Sequence, residues 1–239
     1  MQLSKRLQAV ADLVTKGNRV ADVGCDHAYT SIYLAENKIS PRIIAMDINR
    51  GPILRARENI KRYGCENRIE TRLSDGLKKL EPEEADTVII AGMGGGLTVQ
   101  ILTERSDIIK TIKELVLQPQ SEVFKVRHML TDNNFLITEE NMVYEDGKYY
   151  VMIKAVPQQN VVNKGDFLLT EEEHFLYGRL LLERRNQLLH DFLNWDLAIC
   201  KDIVSSFQNK NSENIVQRQI EIEEKISSIK KALTIFDGD

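Results

Sequence analysis

The stretch Arg19–Ala28, RVADVGCDHA, decides the fold of this chain. It begins with a short run of apolar and β-branched residues, which is typical of a buried strand, and the run ends at Gly24. An amphipathic stretch over Tyr29–Asn37 follows directly and predicts a helix. A strand that turns through a glycine into a helix opens a crossover unit, and repeated crossover units build a parallel sheet.

The same alternation continues as far as Leu130. Strands are predicted over Arg42–Asp47, Ile69–Ser74, Asp86–Ala91 and Lys113–Leu117, and helices over Pro52–Tyr63, Leu97–Thr103 and Glu122–Leu130. Strands that alternate with helices in this way predict a doubly wound α/β fold around a parallel sheet.

The pattern changes after the last of these helices. Phe135–Tyr144 and Lys148–Val156 both have strand character, and the Asp146-Gly147 pair between them is a strong hairpin signal. We therefore expect a seven-stranded, Rossmann-like sheet in which five parallel strands are closed by an antiparallel hairpin. That ending is the layout of class I methyltransferases, whereas a dinucleotide-binding domain normally lacks the hairpin.

A domain boundary is predicted after Pro157, because Pro157–Asn163 has the composition of a linker. Residues 1–157 would form the sheet domain and residues 158–239 a helical coiled-coil domain. Two apolar stripes mark its helices: Leu181, Leu182, Leu188, Leu189, Phe192, Trp195 and Ile199, then Ile215, Ile222, Ile226, Ile229, Leu233 and Phe236. Joined near Gln208–Ser212, the helices would form an antiparallel hairpin that either packs against the sheet domain or grips a substrate.

The bulk composition is that of an ordinary globular protein. The 239 residues contain no apolar run long enough for a membrane span and no signal-peptide pattern, so we expect a cytoplasmic protein. Three widely spaced cysteines predict reduced thiols and neither disulfides nor a zinc site. The formal net charge is -4, but residues 1–157 balance 22 basic against 22 acidic side chains, which permits an RNA partner without requiring one.

Acidic residues surround the end of the first strand. Asp22 lies just before Gly24, and Asp26 and Ala28 stand where a dinucleotide-binding motif has its later glycines. A carboxylate repels a pyrophosphate but attracts a sulfonium or an amino group. The pattern therefore favours S-adenosylmethionine over NAD as the cofactor, although a plain structural turn would use the same residues.

Two further strands end in acidic residues. Asp47, followed by Ile48, closes the second strand, where a carboxylate can accept hydrogen bonds from the ribose hydroxyls of an adenosine ligand. Ser74, Asp75 and Gly76 close the third strand, and Asp75 is a candidate to hold the exocyclic amine of adenine. A helix N-cap at Asp47 and a simple turn at Asp75 are the structural alternatives.

A glycine-rich run follows the fourth strand. The residues Gly92, Met93, Gly94, Gly95 and Gly96 leave an open backbone where methyl donor and acceptor meet in this architecture. The run lacks the Asp/Asn-Pro-Pro-aromatic pattern of enzymes that methylate exocyclic amines, and it lacks the cysteine of cytosine C5 enzymes. We therefore expect the acceptor to be a ring nitrogen, an oxygen or a carbon atom.

The remaining candidates are residues that would contact a nucleic-acid substrate. Gln118 and Gln120 follow the fifth strand, and their amides can hydrogen-bond a base edge. His27 and Tyr29 flank the first turn, where Tyr29 would stack on or hydrogen-bond an extruded base and His27 would orient it or take a proton. The helix over Pro52–Tyr63 carries the cations Arg57 and Lys61, which are candidates for phosphate contacts. The structural alternative is that both simply belong to a solvated face of the helix.

Taken together, the motifs DVGCDHAYTSIYLA, AMDI, SDGL, IIAGMGGG and LQPQ resemble the bacterial family that methylates N1 of adenine 22 in tRNA. The combination of CDHAYT with AGMGGG is the most specific part. The order of parts, a methyltransferase core followed by a coiled-coil domain, also matches. The resemblance covers nearly the whole chain and is strongest over residues 3–155. Gln120 departs from the family, in which an asparagine is expected after the proline.

The resemblance implies S-adenosylmethionine as cofactor, tRNA as substrate and a helical arm that helps to hold the tRNA. It implies cofactor contacts around Gly24, His27, Asp47, Asp75, Gly92 and Met93. No metal and no membrane are expected, and the oligomeric state, monomer or weak dimer, is open. Three other functions also remain open: an NAD-dependent oxidoreductase, a methyltransferase of another RNA, a protein or a small molecule, and a non-catalytic nucleotide-binding protein with a coiled-coil arm.

Overall fold

The computed structural model describes residues 1–207 and 213–237. The chain divides into two compact units, Met1–Leu168 and Leu169–Asp239. The first unit contains the sheet, and the second is helical.

The first unit alternates strands and helices in the predicted order. Its strands are β1 (Val20–Val23), β2 (Ile43–Asp47), β3 (Ile69–Leu73), β4 (Thr87–Met93), β5 (Glu114–Pro119), β6 (Phe135–Glu145) and β7 (Lys148–Pro157). Its helices are α1 (Lys5–Asp12), α2 (Tyr29–Glu36), α3 (Arg50–Arg62), α4 (Gly95–Glu104), α5 (Ser106–Ile109) and α6 (Val123–Asp132).

All seven strands form one sheet in the order β3-β2-β1-β4-β5-β7-β6. Strands β1 to β5 pair in parallel, and β7 is antiparallel to both β5 and β6. The predicted Rossmann-like methyltransferase sheet with a closing hairpin is therefore confirmed. Helices cover both faces, and every residue of β1 is buried, as expected of a central parallel strand.

The strand order reverses beside β1, which has β2 on one side and β4 on the other. Crossovers leave in opposite directions at such a switch point, so a crevice opens beyond the carboxyl ends of the two strands. Gly24 follows β1 with a φ of +75°, and both Gly24 and Cys25 donate their N–H groups to the carbonyl of Met46, at 2.8 and 3.0 Å. These bonds hold the turn after β1 against β2, so that the turn lies at the edge of the crevice.

Helix α1 was not predicted from the sequence. Ser4 caps it by accepting a hydrogen bond from the N–H of Leu7 at 3.3 Å, and the helix buries Ala9, Val10 and Ala11. The carboxylate of Glu145, at the tip of the hairpin, accepts hydrogen bonds from the N–H groups of two residues of the first turn, Lys5 and Arg6. A helix of only two turns has a weak periodic signal, and a contact from a residue distant in sequence completes its start.

The first unit extends beyond the predicted boundary at Pro157. The segment after β7 is not an open linker, because it forms two 3-10 turns, Gln158–Asn160 and Lys164–Phe167. The second of these turns contacts β6, so it belongs to the sheet unit. The boundary predicted between residues 157 and 158 is therefore corrected to the one after Leu168.

The second unit contains a π-helical turn (His174–Gly178) and the helices α7 (Arg179–Glu183), α8 (Gln187–Ser206) and α9 (Glu213–Asp237). The first predicted apolar stripe is divided, because Asn186 caps α8 by accepting a hydrogen bond from the N–H of Leu189 at 3.1 Å. Helix α9 packs on α8 and buries part of the predicted seam, including Ile222 and Ile229. The predicted junction at Gln208–Ser212 lies outside the described residues.

Two ion pairs support this helical unit. Lys225 of α9 lies 2.8 Å from the buried carboxylate of Asp196 in α8, and Lys231 of α9 lies 2.6 Å from Glu173. Both carboxylates are almost fully buried, so their cations offset the cost of removing charge from water.

At Gly95, the start of α4 packs closely against the backbone that precedes α6. A Cβ atom at this position would lie 2.5 Å from the backbone carbonyl oxygens of both Ser121 and Glu122, which cannot move as a side chain can. We expect Gly95→Ala to lower the free energy of unfolding by about 1–3 kcal/mol in urea denaturation, in spite of the better helix propensity of alanine. Gly165→Ala is the matched control, since a Cβ there meets nothing within 4 Å. Equal stability of the two variants would contradict this packing.

Candidate active site

Two clefts adjoin at the carboxyl ends of the parallel strands. The edge cleft, of about 310 Å³, is bounded by the ends of β2, β3 and β4 and by α4. The inner cleft, of about 240 Å³, is bounded by α1, by the turn between β1 and α2 and by the end of β4. Gly24, Ala91 and Gly92 line both clefts, which therefore meet along the switch point of the sheet.

The edge cleft contains the residues predicted at the ends of the second and third strands. Those that line it are Asp47, Ile48, Ser74, Asp75, Gly76 and Met93, together with residues of α4. Asp47 Oδ1 accepts a hydrogen bond from the N–H of Asn49 at 2.8 Å, and Asp75 pairs with Lys78. Both carboxylates can accept further hydrogen bonds, because an ionised carboxylate has about four acceptor sites.

The side chain of Ser74 closes the turn after β3. Its hydroxyl donates to the carbonyl of Gly76 at 2.8 Å and accepts from the N–H of Lys79 at 3.1 Å. Ser74 thus shapes the edge cleft through its local bonds, and its contact with a cofactor stays a prediction.

Asp22 places a buried carboxylate in the wall of the inner cleft. It is only 5% exposed and accepts a hydrogen bond from the hydroxyl of Ser31 in α2 at 2.6 Å. Burial raises the pKa of Asp22 to about 6, the Ser31 bond opposes this shift, and the charge of Asp47 adds to it. Burial also raises the pKa of the neighbouring Cys25 thiol, which is therefore neutral at physiological pH.

His27 and Tyr29 form a stacked pair that lines the inner cleft. Their ring centroids are 5.3 Å apart with an interplanar angle of 12°, and Tyr29 is 40% exposed. Asp26 also lines the cleft, where it lies 3.5 Å from Arg55 and 3.7 Å from His27 Nε2. The amide of Asn59 in α3 donates to the carbonyl of His27 at 3.1 Å and so fixes this turn. Two parallel rings that reach solvent form a platform on which a nucleobase can stack.

Glycines keep the junction of the two clefts open. A Cβ atom on Gly24 would lie 2.3 Å from the methyl group of Met93, and the φ of +75° would strain any other residue. Gly92 has a φ of +84°, and a Cβ there would lie between Arg6 Nη1 at 3.6 Å and Gln120 Nε2 at 3.7 Å. The junction is therefore a backbone-lined cradle, with carboxylates in the clefts on both sides, that fits an elongated ligand carrying hydroxyl and cationic groups.

The rest of the glycine run serves packing. Gly94 precedes α4, and a Cβ there would lie 3.3 Å from Ser121 Oγ, outside the residues that line the clefts. The glycines here let α4 approach the loop before α6, and the predicted contact of Gly94 with a cofactor stays a prediction. Within the run, the cleft is lined by Gly92 and Met93.

The two predicted glutamines lie in different environments. Gln120 is exposed and lines the inner cleft, as expected of a group that meets a substrate. Gln118 is fully buried, accepts a hydrogen bond from Arg6 Nη1 at 2.7 Å and donates to the carbonyl of Pro119 at 3.2 Å. The predicted contact of Gln118 with a base is therefore corrected: its amide holds Arg6, which itself lines the cleft.

Arg6 is a charged cleft residue that the sequence analysis did not identify. It lies in α1, far along the chain from the glycine motifs, and no spacing connects it with them. The Lys5-Arg6 dipeptide at the chain start was a possible signal, but its position above β4 depends on the tertiary fold.

The cations of α3 point in several directions. Arg57 Nε donates to Thr71 Oγ1 on the edge strand at 2.7 Å, and Lys61 is exposed one turn later. Neither side chain lines the edge cleft or the inner cleft, and their contact with a substrate stays a prediction. Arg55, on a neighbouring face, is the one whose ion pair reaches the inner cleft.

Within residues 1–207 and 213–237, no three histidine, cysteine or acidic side chains come together as a metal site would require. No helix in these ranges combines the length and the apolar character needed to cross a membrane.

Comparisons with known proteins agree with this geometry. A family model described as a methyltransferase domain matches residues 3–153. The tRNA (adenine(22)-N(1))-methyltransferase of Bacillus subtilis is 29% identical over 235 residues, which cover 98% of each chain.

Two solved structures resemble the whole chain. A putative tRNA (m1A22) methyltransferase of Streptococcus pneumoniae, in complex with S-adenosyl-L-methionine, has a TM-score of 0.85 and 27% identity, covering 97% of this chain and 100% of that one. A Mycoplasma capricolum protein in complex with S-adenosyl-homocysteine has a TM-score of 0.84 and 29% identity, covering 99% of this chain and 100% of that one.

The buried carboxylate of Asp22 should make stability depend on pH. Its pKa of about 6 lies above the value of about 3.9 in an unfolded chain, so the folded state holds the proton more tightly. Stability is therefore lost as pH rises through about 4 to 6, and it is regained as pH falls. The Asp22→Asn variant carries no charge, and its carbonyl can still accept from Ser31.

We therefore expect Asp22→Asn, without cofactor, to be more stable than the wild type at pH 8 by on the order of 1–3 kcal/mol. The difference should vanish near pH 4, which urea denaturation across this range measures. Asp26→Asn, with an exposed side chain, is the control and should show no such trend. A variant less stable than the wild type at every pH would contradict the assigned cause.

Proposed function

The chain belongs to the methyltransferase domain family, and from that premise we propose that it transfers the methyl group of S-adenosylmethionine to N1 of adenine 22 in tRNA. The observation that carries the proposal is the pair of clefts that meet at Gly24 and Gly92. An acidic edge cleft suits a nucleoside, and the inner cleft adds a stacking platform beside the junction. Whole-chain likeness to relatives named for this reaction supports the choice of substrate.

The cofactor would be held by residues of both clefts. Asp47 would accept hydrogen bonds from the ribose hydroxyls and Asp75 from the adenine amine, in exchange for part of its pairing with Lys78. Gly24 and Gly92 would let the chain of the cofactor pass between the clefts. S-adenosylmethionine supplies, when bound, a methyl group on a sulfonium, which is open to attack by a ring nitrogen.

Adenine N1 suits a site that positions its substrates. This nitrogen carries a free lone pair at neutral pH, so the protein need not remove a proton before attack. Holding two reactants in the right geometry can supply about 7–11 kcal/mol of the barrier reduction. The rigid turn around His27, fixed by Asn59, and the bonded backbone of Gly24 are features that position groups.

The acceptor base must leave its helix before it can react, because N1 lies on the pairing edge. Extrusion costs a few kcal/mol, which stacking in the site can offset. The His27–Tyr29 pair is the platform for this stacking, and the exposed amide of Gln120 is the candidate for a hydrogen bond with the base edge.

Contacts with the body of the tRNA belong to other parts of the chain. The exposed cations Arg57 and Lys61 would neutralise phosphates, as cationic side chains do in nucleic-acid complexes. The helical unit after Leu168 would serve as an arm for the same partner. A cytoplasmic location, where tRNA is modified, is part of this proposal.

The experiment that tests the function is methyl transfer from labelled S-adenosylmethionine to an unmodified tRNA transcript with adenine at position 22. We expect the label in 1-methyladenosine after nucleoside analysis. The matched control is the same transcript with guanine at position 22, which should stay unlabelled. Label in both transcripts would contradict the position, and label in neither would discard tRNA as the substrate.

The stacking platform makes a separate prediction. Stacking of a base on an aromatic ring is worth about 1–3 kcal/mol, so His27→Ala and Tyr29→Ala should each lower kcat/KM roughly 5- to 150-fold. Tyr29→Phe keeps the ring and should retain most of the activity, whereas a large loss would assign the role to the hydroxyl. Tyr63→Ala, an exposed aromatic outside the clefts, is the control. Normal methylation by both alanine variants of the platform would refute it.

A further inference from the structure

A basic hollow lies at the amino ends of the strands, at the edge of the sheet opposite the two clefts. It measures about 380 Å³ and is formed by the loops that lead into β1, β2 and β3. Its lining contains three cations, Lys16, Lys38 and Arg68, together with Gly17 and residues 39–41, and no acidic side chain. Like charges around one hollow repel one another unless an anion joins them, so this lining suits a negatively charged ligand.

Hydrogen bonds fix the two loops that carry the lysines of the hollow. The N–H of Gly17 donates to the carbonyl of Ile39 at 2.8 Å, which joins the loop before β1 to the loop before β2. The buried hydroxyl of Ser40 lies 2.7 Å from the carbonyl oxygen of Asn18 and joins the same two loops a second time. Both lysines therefore start from fixed backbone positions, which lowers the entropic cost of closing on a ligand.

Lys38 occupies a backbone position that usually belongs to glycine. It follows α2 with a φ of +55°. Its N–H donates to the carbonyl of Ala35 at 3.1 Å, and the N–H of Ile39 donates to the carbonyl of Leu34 at 2.9 Å. These two bonds form a Schellman motif, in which a Cβ is strained at positive φ. The helix dipole favours a cation here and offsets part of the strain, and a bound anion would offset more.

The charges of the two lysines are not neutralised by the protein. In the part of the chain that the structure describes, no ion pair joins Lys16 or Lys38 to an acidic side chain. Carboxylates of the adjoining elements are paired elsewhere: Glu36 of α2 lies 3.2 Å from the amino group of the chain start, and Glu70 of β3 lies 3.4 Å from an arginine of β2's entry. Both lysines are thus available to an external anion.

Arg68 adds a planar donor group to the same hollow. Its Nη1 donates to the carbonyl of Ala35 at 2.7 Å, at the end of α2, and this bond fixes the guanidinium. The remaining N–H donors match the oxygens of a phosphate, which arginine binds through paired hydrogen bonds and lysine binds as a point charge. The lining contains no aromatic ring on which a nucleobase could stack, so the hollow suits the phosphate of a nucleotide and not its base.

The surface of α3 connects the hollow with the inner cleft. Helices α1, α2 and α3 pack in one core cluster, so they cover the same face of the sheet. Helix α3 starts at the carboxyl ends of the strands, where Arg55 lies 3.5 Å from Asp26 of the inner cleft, and it ends in the loop that leads to Arg68. Over about 20 Å it exposes five cations. They are Arg50, Arg55, Arg57, Lys61 and Arg62. A polyanion that crosses this face would meet positive charge from the inner cleft to the hollow.

We propose that the basic hollow binds a backbone phosphate of the tRNA, at a point remote from the acceptor base. The proposal rests on the proposed function, because it takes tRNA as the substrate. It adds a binding site at the end of the sheet that holds no reacting group. Strand β2 alone spans about 16 Å between the two ends, so the bound phosphate belongs to a nucleotide other than the methylated one. The contact aligns the body of the tRNA along α3 while the acceptor base enters the inner cleft.

The test measures the affinity for an unmodified tRNA transcript at several salt concentrations, for the wild type and for Lys16→Gln/Lys38→Gln. We expect the double variant to bind tRNA about 10- to 100-fold more weakly at about 0.1 M salt, because charge-assisted hydrogen bonds to a phosphate are lost. The slope of log Kd against log salt should fall by about 1 for the lost phosphate contact. In methyl transfer, the KM for tRNA should rise, whereas kcat and the affinity for S-adenosylhomocysteine should not change.

Lys38→Gly separates binding from folding. Glycine adopts a φ of +55° without strain, so the midpoint of urea denaturation should stay the same or rise. Binding of tRNA should nevertheless weaken by about 5- to 20-fold. A role of Lys38 at the end of α2 alone predicts the reverse, a lower denaturation midpoint with unchanged affinity for tRNA, and that result would overturn the assignment.

The matched control is Lys110→Gln/Lys113→Gln, which removes the same charge from two exposed lysines before β5. It should bind tRNA as the wild type does. Equal weakening by both double variants would show an effect of net charge only and would overturn the site. Unchanged affinity and salt slope in Lys16→Gln/Lys38→Gln would also overturn it, and calorimetric binding of inorganic phosphate in that case would assign the hollow to a small anion.

The phosphate site and the proposed reaction fail separately. If tRNA binds with the expected salt dependence but is not methylated, the reaction is refuted and the phosphate site stands. If tRNA is methylated and the double variant keeps the full affinity and the same KM, only the phosphate site is refuted. Absence of tRNA binding by the wild type would remove both.

Discussion

The architecture of the site depends on one constraint: at the switch point beside β1, the backbone itself must form the wall of the two clefts, without side chains. Here the backbone has a positive φ at two glycines: Gly24, which follows β1, with +75°, and Gly92, at the irregularity near the end of β4, with +84°. Side chains at either position would project into the junction of the clefts. The central strands are buried and bonded on both sides, so this open junction lies on a rigid frame, and catalysis by positioning requires such a frame.

The buried charge of Asp22 lowers the stability of the folded protein, but it places an acidic group in the wall of the inner cleft. Asp22 loses solvation on burial and keeps one short hydrogen bond with Ser31, which raises its pKa to about 6. A carboxylate whose pKa is raised in this way, and which lies in the wall of a cleft, is typical of a group that binds a ligand. A bound ligand with a positively charged group would stabilise the ionised form of Asp22.

The fold and much of the edge cleft could be predicted because their signals are local. Hydrophobic runs that end in Asp47 and in Ser74 place both at one edge of a parallel sheet by topology alone. Gln118 and Gln120 show the limit. Period-2 alternation places residues two apart on the same face, yet Gln118 is buried within β5 whereas Gln120, which follows the end of the strand at Pro119, is exposed. Arg6 reaches the cleft through a short helix held by Glu145, a contact between residues far apart in sequence that no local pattern records.

The most direct test of the account is a crystal structure of the protein with S-adenosylhomocysteine. We expect the ribose at Asp47, the adenine beside Asp75 and the amino-acid chain passing between Gly24 and Gly92 into the inner cleft. A ligand bound elsewhere, or one that leaves the junction of the two clefts empty, would contradict the central claim that these clefts form one cofactor site.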